Sequence, residues 1–86
     1  MKNYLKDLTI VIVTYKSDEI IYKFIRKIPK KIKVIVVENS KNFILKRNLE
    51  KKYKNVKVYL RKNIGYGSAI NYGSRYVKTK YFLLMN

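Results

Sequence analysis

The stretch Leu8-Thr-Ile-Val-Ile-Val-Thr-Tyr15 constrains this chain more than any other. Five of its eight residues are Leu, Ile or Val, and they run together instead of alternating with charge. A strand wetted on one face alternates, so this one reads as a strand covered on both faces. It stops at Thr14-Tyr15-Lys16-Ser17-Asp18, where polar groups appear and a helical spacing begins. A buried strand with a polar tip is how an open α/β sheet presents a ligand site.

The rest of the chain falls into place around that strand. Ser17 suits a helix N-cap, and Asp18 and Glu19 suit the positive end of the helix that follows. Ile20, Ile21, Phe24, Ile25 and Ile28 recur at helical spacing up to Pro29, an amphipathic helix of about three turns. Val34-Ile-Val-Val37 predicts a second buried strand ending in Glu38-Asn39-Ser40. Asn39 or Ser40 then caps a helix over Lys41 to Tyr53, with Ile44, Leu45, Leu49 and Tyr53 inward. Val56, Val58 and Leu60 alternate with Lys57, Tyr59 and Arg61, so the third strand has a wet face or lies at an edge. A glycine-bearing loop, Asn63 to Ser68, opens a third helix from Ser68 to Lys78. Gly73 inside that helix costs about 1 kcal/mol of propensity, and close approach to the sheet is the expected compensation. Tyr81-Phe-Leu-Leu-Met85 reads as a fourth buried strand.

The resulting order, β-α-β-α-β-α-β with short connections, predicts one three-layer α/β/α domain over residues 1–86 with a four-stranded parallel sheet. Right-handed crossovers allow the strand order 3-2-1-4, which places a switch point between the first and fourth strands. The tips delivered there are Thr14 and Tyr15, Glu38, the loop from Asn63 through Gly65 and Gly67, and Asn86.

Composition narrows the chemistry. With no cysteine and no histidine, the chain has no disulfide, no thiolate metal site and no imidazole base. Its apolar runs are strand-length, too short to span a bilayer. Met1 to Lys6 lacks the apolar core of a signal peptide, so a cytoplasmic location is expected, with the inner membrane face as the alternative. Twenty-one basic residues against five acidic ones give a net charge of +16, which suits an anionic partner. The lysines are spread over every predicted helix and loop, however, which favours compositional bias over a dedicated nucleic-acid face.

Glu38 is the sharpest residue, a rare acid at the tip of a buried strand and able to accept from a base N–H or a ribose hydroxyl. The competing roles are a solvated carboxylate beside the lysines or a cap on the next helix. Tyr15 offers a ring for stacking, and the Gly65-Tyr66-Gly67 turn offers helix N-terminal amides to phosphate. That loop follows the third strand and has Ile70 at the third glycine position, so a Rossmann dinucleotide fingerprint is a poor fit.

Ile10-Val-Ile-Val-Thr-Tyr-Lys-Ser17, Val36-Val-Glu-Asn-Ser40, Asn63-Ile-Gly-Tyr-Gly-Ser-Ala-Ile-Asn71 and Lys80-Tyr-Phe-Leu-Leu-Met-Asn86 occur in register. Together they resemble the amino-terminal half of family 2 glycosyltransferases, especially the rhamnosyltransferase-like members. The resemblance implies a truncated GT-A, Rossmann-like fold, and a nucleotide-diphosphate-sugar donor linked through UDP or TDP. It implies sugar transfer in polysaccharide or cell-surface glycan synthesis. By that resemblance Thr14 and Tyr15 hold the nucleoside, and Glu38 replaces the family aspartate that bonds the base. Asn63, Gly65, Gly67 and Asn71 lie near the donor, and Asn86 opens the Asp-x-Asp-type motif. The resemblance further implies a divalent metal, Mg or Mn, whose aspartate ligand falls beyond Asn86, as does the general base. No catalytic residue is therefore assigned, and these 86 residues are expected to be inactive alone. An apolar fourth strand left at the sheet edge predicts a dimer or larger. The alternative reading is a basic module for nucleic acid or anionic membrane, nucleic acid being the less expected partner.

Overall fold

The computed structural model describes residues 4–16, 18–62 and 65–85. A 3-10 turn, Tyr4–Asp7, leads into β1 (Leu8–Thr14), then α1 (Asp18–Arg26), β2 (Lys33–Glu38), α2 (Phe43–Lys52), β3 (Val56–Leu60), α3 (Tyr66–Ser74) and β4 (Tyr81–Met85). The strands form one sheet in the order β3-β2-β1-β4, and every pairing is parallel. The predicted order is thus the observed one. β1 lies between β2 and β4.

Strand alternation divides the core into two layers. Ile10 and Ile12 of β1, with Val34 and Val36 of β2 and Val56 and Val58 of β3, face Ile21 and Ile25 of α1 and Leu45 and Leu49 of α2. On the other side Val11, Ile35 and Val37 face Ala69 of α3. Gly73 permits that second contact. A Cβ there would stand 2.8 Å from Val37 Cγ2 and 3.0 Å from Val11 Cγ1, so the helix rests directly on the sheet. This is the compensation anticipated for its poor helix propensity.

Several boundaries differ from the sequence expectation, each for a local reason. α1 ends at Arg26, before Ile28, because Lys27 and Ile28 donate to Phe24 O and Ile25 O, tightening the last turn ahead of Pro29. α3 likewise closes at Ser74, and Arg75, Tyr76 and Val77 each donate three residues back. Ile20 and Ile44 were expected inside but point to solvent. A short helix lying on a sheet buries a narrow i, i+4 stripe, here Ile21 with Ile25 and Leu45 with Leu49. α2 starts at Phe43, and its N-cap is Asn42, whose Oδ1 accepts from Leu45 N at 3.0 Å. Neither Asn39 nor Ser40 has that role. The Ser17 cap lies outside the described residues.

β4 departs most from expectation. Its apolar run reads as buried, yet Tyr81, Phe82, Leu83 and Leu84 are 41–56 % exposed. An unbroken apolar run records only that a strand avoids charge. It does not say that helices cover both of its faces, and here none does so. At the opposite edge β3 is closed by α2. Lys46 Nζ donates to Val58 O at 2.7 Å, and Val58 N donates to Glu50 Oε2 at 2.8 Å. The Lys46–Glu50 ion pair at 2.8 Å completes the latch. It satisfies the outward N–H and C=O of Val58 on the edge strand. Among the described residues no helix is long and apolar enough to cross a membrane.

Candidate functional site

In a parallel sheet every strand delivers its carboxyl end to the same edge, and each following helix starts there. Thr14 and Glu38 are register partners across β1 and β2. By alternation both side chains point to the α1/α2 face. Asn39 follows directly, its N–H donating to Thr14 O at 2.9 Å. The tips of the two central strands are therefore tied together by backbone.

Glu38 is fully buried, at 0 % exposure. Its Oε2 accepts from Ser40 N at 2.9 Å and Asn42 N at 2.8 Å, and its Oε1 accepts from Ser40 Oγ at 2.6 Å. A carboxylate has about four acceptor positions, so most of Glu38 is committed to winding the β2–α2 loop. This explains why α2 starts later than its sequence suggested. It also places the capping role foreseen for Glu38 in the loop instead of on the helix itself.

Next to this satisfied carboxylate stand two polar atoms that are not satisfied. Thr14 Oγ1 and Asn39 Oδ1 are buried, their residues 6 % and 4 % exposed, and neither finds a hydrogen-bond partner among the described residues. A buried polar atom left unpaired costs about 1–3 kcal/mol, so these two atoms leave hydrogen-bonding capacity unused at the ends of β1 and β2. Thr14 was singled out in the sequence. Asn39 was considered only as a cap, because a single asparagine after a strand carries no distinguishing signal; its backbone bond to Thr14 O is what places it at this edge.

The remaining candidates are distributed around this centre. Tyr15 is exposed at the end of β1, with Lys16 Nζ 5.3 Å from its ring centroid. Gly65 precedes α3 with φ +86, a conformation that favours glycine. Gly65 and Gly67 reach the same edge of the sheet but on the α3 face, opposite Thr14 and Glu38. Asn71 lies on α3, in a cavity beside the end of β3. It is exposed and lines this cavity of about 250 Å³ with Arg61, Ser68, Tyr72 and Arg75. The Arg61 guanidinium lies 4.0 Å from the Tyr72 ring centroid. Asn63 and Asn86 lie outside the described residues.

No group of three or more Asp, Glu, His or Cys side chains is placed to hold a metal ion among the described residues. Glu38, at the end of β2, faces amides and a hydroxyl instead of other acids. The described residues alone do not fit the divalent metal that the resemblance implies.

A family model described as Glycosyl transferase family 2 matches residues 9–86, nearly the whole chain. No curated protein matches it.

Proposed function

Given that the chain belongs to glycosyl transferase family 2, we propose that its β1/β2 edge holds the nucleoside end of a nucleotide-diphosphate-sugar donor, UDP- or TDP-linked. Transfer would be to an acceptor in glycan synthesis. The observation that carries this reading is the pair of unpartnered buried atoms, Thr14 Oγ1 and Asn39 Oδ1. A nucleobase edge or ribose hydroxyl has the donors and acceptors to satisfy both. Glu38 fixes the loop that carries Asn39. Tyr15 offers a ring beyond the strand end, and Gly65 and Gly67 open the helix whose N-terminus suits phosphate. Asn63, Asn71 and Asn86 belong to the proposal through the family motif alone. Metal-assisted departure of the diphosphate requires donors other than the described residues.

Thr14→Val tests the site with opposite signs for folding and binding. Removing an unpaired buried hydroxyl should leave the free protein as stable or more stable by about 1 kcal/mol, while UDP and TDP titrations should show affinity lowered about tenfold. Asn39→Ala should weaken binding likewise. Unchanged affinity in both variants, or no binding by the unsubstituted protein at millimolar nucleotide, would refute the proposal.

The same reading includes a second copy of the chain paired along β4, an uncharged and half-exposed edge. Light scattering that finds only monomer at high protein concentration would remove that part.

A further inference from the structure

At the amino-terminal ends of the strands, away from the Thr14–Asn39 edge, the α3 face carries a second concavity. α3 has nine residues and ends at Ser74, so it leaves the lower part of this face uncovered. The cavity beneath it has a volume of about 330 Å³. Its floor comes directly from the register of the sheet. Thr9 pairs with Lys33 across β1 and β2, and Ile35 pairs with Lys57 across β2 and β3. All four side chains therefore stand on one face. Lys54 and Lys78 enter from the neighbouring turns.

One wall is aromatic. Tyr59 and Tyr76 stack with centroids 3.8 Å apart and planes 18° from parallel. Tyr76 Oη donates to Tyr72 Oη at 3.1 Å, fixing its ring. The β3 start is fixed as well, since Asn55 Nδ2 donates to Ile32 O at 2.9 Å and Val34 N to Asn55 O at 2.8 Å. Thr9 Oγ1 and Thr79 Oγ1, 2.7 Å apart, hold the connection to β4 against the floor. The groove is formed by braced elements.

Its charge is one-sided. Four lysines line it and no carboxylate does. None of the four forms an ion pair with a described carboxylate, although Lys57 is near enough to Glu50 to favour its ionised form. Ammonium groups gathered around one concavity repel each other, and low-dielectric walls focus their field into the space between them. A multiply charged anion relieves that repulsion at several contacts at once. A flat lipid surface would meet the rim alone. A long polyanion would engage the scattered lysines of every face, with no preference for this one.

We propose that this groove is a second ligand site, distinct from the donor edge, that takes a small soluble anion bearing two or more phosphate charges. It does not depend on the reading of the β1/β2 tips.

Pyrophosphate is the probe, titrated by calorimetry in low-salt buffer against the unsubstituted chain and two double variants of equal charge loss. K33Q/K57Q removes the two lysines that stand on the sheet. K23Q/K51Q removes two exposed lysines outside the cavity. The groove variant should bind pyrophosphate about tenfold or more weakly, and the control should stay within about twofold. Circular dichroism should show both variants folded, as expected for exposed side chains. Absence of pyrophosphate binding, or equal loss in the two variants, would overturn the proposal. So would loss of single-stranded RNA or anionic-vesicle binding in the groove variant with pyrophosphate affinity unchanged.

Discussion

The two faces of the sheet are built on different principles. Under α1 and α2, branched side chains from three strands interlock with Ile21, Ile25, Leu45 and Leu49, and the Lys46–Glu50 latch secures the outer strand. Under α3 the core is Val11, Ile35, Val37 and Ala69, and Gly73 brings the helix backbone itself down onto the strands. One face gains stability from side-chain volume. The other gains it from removing volume, and its single helix leaves space for a groove.

Three substitutions test that contrast. Leu49→Ala, at a fully buried position on the filled face, should cost about 2–5 kcal/mol in urea unfolding. A loss under about 1 kcal/mol would mean that this face is not the main core. Gly73→Ala should destabilise by about 1–3 kcal/mol despite the better helix propensity of alanine. Its Cβ would meet Val37 and Val11, whose branched side chains cannot swing aside freely. Neutral behaviour would mean that α3 rides higher than described and that the faces are more alike.

The smallest effect belongs to the latch. Burial alone would raise the Glu50 pKa, but bonds from Lys46 and Val58 N, with the charges of Lys46 and Lys57, outweigh it and hold the carboxyl below its usual range. A carboxylate with a lowered folded-state pKa stabilises the fold above its unfolded pKa and loses that contribution as pH falls through the folded value. Thermal unfolding followed from about pH 6 down to about pH 3 should show this decline, and Glu50→Gln should make it shallower. An identical slope in the variant would separate Glu50 from the acid sensitivity of the latched face.

What the sequence disclosed follows from what patterning can encode. Element order, strand order and the central place of β1 were legible, because a charge-free Ile/Val run and short parallel connections leave few arrangements. Gly73 was legible as well, since a glycine inside a helix needs a packing reason. The site was legible only in outline. Thr14 and Glu38 could be placed at strand tips, yet the hydrogen bonds of Glu38 depend on how the loop folds back to Ser40 and Asn42. Asn39 acquires meaning only through its neighbour on another strand. Ile20 and Ile44 show the same limit for packing, since hydrophobicity does not encode how wide a stripe a helix buries.

The bare edge at β4 has a consequence for handling the protein. Like-charged copies carrying +16 each keep their distance in dilute buffer, but at about 0.1 M salt that repulsion reaches only about 10 Å. The attraction between oily ribbons is indifferent to such shielding. Ionic strength should therefore act as the dial on association, with larger particles appearing as salt is added and dispersing again on dialysis.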